Sequence, residues 1–213
     1  MNPATGAATR RSALRPELPV LYIRSRGLPR TAAALTCIVL LAAWSAARLE
    51  DRFDPGARVP VLVLAPLLVS AAIGTSLYAA ADELDRTAVH RWWPRRLLHL
   101  LALTVPAAAA LALAVPGHPE TFGAPGMIRN VLGATGVAAG SAALIGARLS
   151  WLPMTVWSSA VYLAAPRTPG GAASVWAWPM QPGPQAGAWV VALLAYVAGT
   201  ALFAVRGARP ERG

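Results

Sequence analysis

The chain has 213 residues, 56% of them hydrophobic and 13% charged. A water-soluble domain carries about a quarter charged residues, so a soluble enzyme or soluble binding domain is excluded as the body of this protein. The net charge of +10 comes from 19 basic residues, all arginine; they sit between apolar runs instead of forming a basic face, which argues against a nucleic-acid partner and for lipid headgroups and a topology signal.

Residues 1–30 are polar and basic, and Met1–Arg11 reads as disordered. Within ELPVLYIRSRGLPR (Glu17–Arg30), Leu18, Leu21 and Tyr22 can share a helical face with arginines beside it. Pro19 suits the start of such a helix, and Gly27 with Pro29 its end. This predicts an amphipathic segment lying on the membrane surface.

Six apolar runs follow. Thr31–Ala47 is uncharged and bounded by Arg30 and Arg48; it is too long, and begins too late, for a cleaved leader. Cys37 lies inside it, alone in the chain, and is expected to be a buried, inert thiol. Val59–Ala81 contains Pro60 and Pro66, and Pro66 predicts a kink. Leu97–Ala114 holds His99 and Pro106. GHPETFGAPG (Gly117–Gly126) reads as a connector. Met127–Ala147 carries Gly136 and Gly140, a GxxxG pair suited to close helix contact within or between chains. Arg129 and Asn130 are expected at the outer edge of this span, the arginine facing headgroups with Glu120 within reach. Leu149–Ala165 and Ala186–Val205 complete the set, separated by a Gly- and Pro-rich stretch (Arg167–Gln185) that cannot be one helix. Each run is about long enough to cross a hydrocarbon core roughly 30 Å thick.

Arginine placement orients the chain. With the N-terminus inside, the inner segments hold fourteen arginines and the outer segments five. The positive-inside rule then gives six spans with both termini in the cytoplasm. The expected organisation is a basic cytoplasmic segment (1–30) with an interfacial helix, an all-α polytopic domain (31–205) and a cytoplasmic tail (206–213).

The richest inner segment is ADELDRTAVHRWWPRRLL (Ala81–Leu98). As a helix, Asp82–Trp93 places Leu84, Ala88 and Trp92 on one face and lets Asp82 pair with Arg86. Such a helix can serve as an interfacial anchor or dock a cytoplasmic partner. Together with ELPVLYIRSR (Glu17–Arg26) and SVWAWPMQPG (Ser174–Gly183), this loop resembles the type-2 class of ABC exporter permeases. The resemblance implies a surface helix before span one and a coupling helix after span two that docks on a separate ATPase. It also implies a segment before span six that dips back toward the membrane. In that family the loop reads Glu, then Gly-Thr, then Leu, then Pro-Arg; Glu83, Arg86-Thr87 and Pro94-Arg95 approximate it, without the glycine.

The expected function is therefore the membrane-spanning half of an ABC-type exporter in the cytoplasmic membrane, a homo- or heterodimer coupled to an ATP-binding subunit. Asp82, Glu83, Asp85, Arg86, Trp92 and Arg95 form the coupling loop. The alternative is a non-transporting membrane anchor or assembly protein docking a partner with the same loop.

Catalysis has little to stand on. There is no Walker loop and no HExxH, and His90, His99 and His118 lie on separate segments. Ser141 has no histidine at a matching depth, and His99 is expected to snorkel to the inner interface. No enzymatic activity, metal or cofactor is expected.

Overall fold

A computed structural model describes residues 28–52, 59–78, 92–114, 123–165 and 170–210, with the side chains of 49–52 and 59 excepted. Six helices carry the architecture: α1 (Leu28–Arg52), α2 (Val59–Ser76), α3 (Trp93–Ala114), α4 (Gly123–Ile145), α5 (Leu152–Ala164) and α6 (Ala186–Arg206). No strand occurs among the described residues. Four helices, α1, α3, α4 and α6, are long and apolar enough to cross a membrane, which makes this a multi-pass membrane protein in character.

The other two helices fall short of the six equal spans expected. α2 runs 18 residues. α5 has 13, a rise of about 20 Å against a core of roughly 30 Å.

Helix boundaries follow backbone chemistry. Pro29, Pro94 and Pro125 each lie in the first turn of a helix, where no N–H is required. Helix α3 consequently takes in Trp93–Arg96, and α4 takes in Gly123–Gly126, both assigned to loops by composition. α4 stops at Ile145 because Gly146 adopts φ 101°; a 3-10 turn, Ala147–Leu149, then leads into α5. α1 continues through Arg48 to Arg52. Cys37 is exposed on α1, not buried, because only 22% of that helix's apolar window is covered by the bundle. The proposed interfacial segment lies outside the described residues, apart from Leu28–Arg30, which form the first turn of α1.

Helix α4 is the hub. Of its apolar window 61% is buried, against 22–33% in the other three long helices. Its run GATGVAAGSAA has small side chains on every face, so neighbours approach from all sides. α2 and α3 pack on one flank through Val69, Ile73, Leu103, Leu111, Met127 and Val131.

On the other flank lies α6. A Cβ at Gly136 would overlap Ala195 O and Tyr196 Cα, and one at Gly199 would overlap the Gly136 carbonyl. The pair runs parallel. Ala134 meets Ala188 and Ala192, Gly140 meets Gly199, and Ala139 and Ala142 meet Phe203.

The remaining contacts set helix direction. Leu28 lies beside Leu98 and His99 near the start of α3. The second half of α1 faces Pro60 and Val61, and Leu77 meets Leu100 and Ala147. Helices α1, α3 and α5 therefore run one way and α2, α4 and α6 the other. Arg30, Arg95, Arg96, Arg148, Arg206 and Arg209 gather at one end.

The tail beyond α6 is pinned there. The Arg209 N–H donates to Ala142 O at 2.9 Å and its Nη1 to Leu144 O at 2.9 Å, so a cation closes the carbonyl end of α4. Gly207 turns the chain at φ 72°, ψ −178°, a region reserved for glycine. A Cβ there would also sit 2.8 Å from the Arg96 guanidinium. Gly207→Ala is expected to destabilise the protein by about 1–3 kcal/mol in detergent unfolding. Gly171→Ala, also at positive φ but with nothing within 4 Å, will cost less; equal losses would show that the Arg96 contact contributes nothing.

Candidate functional site

The end of the bundle opposite the arginine cluster holds a buried polar constellation, and its origin is a proline. Pro66 lacks the N–H that would bond to the carbonyl of Leu62 one turn back. Asn130 supplies the missing donor across the helix interface, its Nδ2 lying 3.0 Å from Leu62 O. The second Nδ2 hydrogen goes to Pro179 O at 2.7 Å. Asn130 Oδ1 accepts from Arg129 Nε at 3.2 Å. Both amide hydrogens and the amide oxygen are thus used, and Asn130 has a single orientation that fits.

Arg129 completes the arrangement. It is fully buried, with 0% exposure. Nη1 donates to Pro182 O and Nη2 to Gln181 O, both at 2.7 Å. Among the described side chains and backbone, every acceptor of the guanidinium is a neutral carbonyl oxygen. This overturns the headgroup-facing reading of Arg129. The guanidinium points into the bundle because residues 170–185 fold back over it, and their free carbonyls need a donor inside an apolar surround.

That segment comprises a one-turn helix (Ala173–Trp176), a 3-10 turn (Trp178–Met180) and a turn over Pro182–Gln185 that leads into α6. Trp178 is buried, its ring over Gly133 where a Cβ would overlap it. Gln181 is buried too and accepts the Gly170 N–H at 2.9 Å. The Trp189 indole donates to Gly183 O at 2.8 Å, so the segment is tied at both ends and in its middle.

No family model, curated protein or solved structure matches the chain.

The residues singled out in the sequence divide differently. Asp82, Glu83, Asp85 and Arg86 lie outside the described residues. Trp92 immediately precedes α3 and is half-buried; its carbonyl accepts the Arg96 N–H at 3.2 Å. The Arg95 guanidinium stands over the Trp92 ring, 4.7 Å from its centroid. Gly136 and Gly140 lie in the α4–α6 contact within one chain. His99 is buried near the start of α3. No group of three metal-ligating side chains occurs among the described residues.

Sequence reasoning missed Gly199, the packing of Trp178 on Gly133 and the role of Arg129. Two signals were available. Ala195 and Gly199 are a second pair of small residues four apart, and an arginine inside an apolar run has a buried partner by default.

Proposed function

We propose that the chain is the membrane-spanning subunit of an ABC-type exporter of the type-2 class. It dimerises and couples to a separate ATP-binding subunit through residues 82–96. The observation that carries this reading is the 170–185 segment, folded back into the bundle between α5 and α6 and latched by Arg129 and Asn130. Such a segment supplies an irregular but fixed closure on the side away from the arginine-rich end.

The alternating helix directions support the same reading. In this reading the chain crosses the cytoplasmic membrane six times, with α5 completed on its outer side by residues 170–185. The arginine-rich end is cytoplasmic, as are both termini. The loop between α2 and α3 emerges at that end, where a soluble ATPase can reach it. Trp92 stiffens its exit, since Arg95 stacks on the ring.

The test is co-expression with ATP-binding proteins from the same genome, followed by pull-down and ATPase assay in lipid. Wild type will retain one such subunit and stimulate its ATPase. Trp92→Ala, and Glu83→Ala combined with Arg86→Ala, will insert normally but lose about 2 kcal/mol or more of coupling, lowering recovery to about a tenth or below. Equal recovery at matched membrane levels would remove the coupling role.

A further inference from the structure

A second surface at the arginine-rich end has the features of a ligand site. Between the start of α1 and the first half of α3 lies an open groove of about 470 Å³, lined by Leu28, Arg95, Leu98, His99, Ala102 and Leu103. That volume is within the range of about 300–1,000 Å³ typical of small-molecule sites.

The groove is polarised along its length. Arg95 stands at the mouth, exposed, in the first turn of α3. Leu98 and Ala102 follow one and two turns deeper, both on the outer surface, with Leu98 67% exposed. Leu103 and Leu28 form the side walls. Among the described residues Arg95 makes no hydrogen bond or ion pair. The Trp92 ring fixes the guanidinium in position, and no other described residue takes its N–H fork. A fork of that kind matches a phosphate in two-pronged geometry.

We propose that this groove binds one anionic phospholipid, its phosphate on Arg95 and the upper part of an acyl chain along Leu98 and Ala102. Charge complementarity selects the occupant. The polar end is cationic, no described carboxylate competes for it, and the apolar part opens outward at the level where headgroup gives way to hydrocarbon. A zwitterionic lipid fits the same trough with less electrostatic gain, because a basic residue near an anionic surface contributes about 1 kcal/mol.

The experiment uses the full chain in neutral detergent, titrated with phosphatidylglycerol or with phosphatidylcholine of the same chains. Bound lipid is counted by native mass spectrometry. Wild type will hold one phosphatidylglycerol about fivefold or more tightly than phosphatidylcholine. Arg95→Gln will abolish that preference. Ala102→Trp, on an exposed position where folding is not threatened, will fill the trough and weaken both lipids. Arg148→Gln removes an exposed arginine at the same end but outside the groove, and will leave binding unchanged. Three results would each overturn the proposal: equal loss in Arg148→Gln and Arg95→Gln, which marks diffuse surface attraction; competition by soluble glycerol phosphate at the lipid's own affinity, which marks an anion site without a chain; or indifference of lipid binding to both groove variants, expected if residues 1–27 fill the trough.

Discussion

Arg129→Ala will lower the unfolding free energy by about 3–5 kcal/mol, the range found when one partner is removed from a buried charged network. Three donors vanish at once. The carbonyls of Gln181 and Pro182 then face an apolar interior with nothing to bond, and each buried orphan costs about 1–3 kcal/mol. The 170–185 segment should come away from α4 before the rest of the bundle melts. A cysteine replacing the buried Ser174, in a Cys37→Ser background, reports this directly. A membrane-impermeant maleimide will label it in the Arg129→Ala protein and not in its parent. Arg129→Lys will recover only part of the stability, because one ammonium group cannot span two carbonyls in the planar fork of a guanidinium. Unchanged melting and unchanged labelling in Arg129→Ala would show that the latch holds nothing.

The second large effect is at the α4–α6 contact, where two glycines four residues apart will behave oppositely. Gly136→Ala drives a methyl into the backbone of Ala195 and Tyr196. Backbone cannot rotate aside as a side chain can, so the helices must separate, at a cost of about 1–3 kcal/mol. Gly136→Leu is expected to prevent assembly of a stable monomer fold. At Gly140 the same methyl meets Gly199 Cα at 3.4 Å, an ordinary contact. Alanine is the better helix former by roughly 0.5–1 kcal/mol, so Gly140→Ala will be neutral or mildly stabilising. Thermal melts of the three variants in one detergent test the ordering; matched losses at 136 and 140 would contradict the observed register.

Sequence and structure agree best where one physical rule acts alone. Apolar length located the six main helices, and the small residues of α4 marked it as a packing surface. Boundaries were missed at Pro94 and Pro125, since composition does not distinguish a proline that starts a helix from one in a loop. α5 is shorter than the expected run Leu149–Ala165 because Leu149 belongs to the 3-10 turn and Ser150 and Trp151 to the turn that follows it. The Arg129–Asn130 constellation was invisible for a different reason. Its partners are backbone carbonyls of residues 62, 179, 181 and 182, which carry no side-chain signature. The proline four residues after Leu62 identifies an orphan acceptor without naming its donor, and an arginine inside an apolar run implies a partner without naming it.

The parallel pairing of α4 with α6 has a consequence for how the chain is made. α4 is the least apolar of the four long helices and carries an arginine and an asparagine that only residues 179–182 can fully satisfy. Those residues, and Gly199 beyond them, leave the ribosome some fifty to seventy positions later. During that interval α4 is sheltered by α2, α3 and, once it is made, α5, with its Gly136 face open and its guanidinium still without the carbonyls that will enclose it. Biogenesis is thus ordered by the hub: the central helix is synthesised in the middle of the chain and becomes chemically complete only when the last helix arrives.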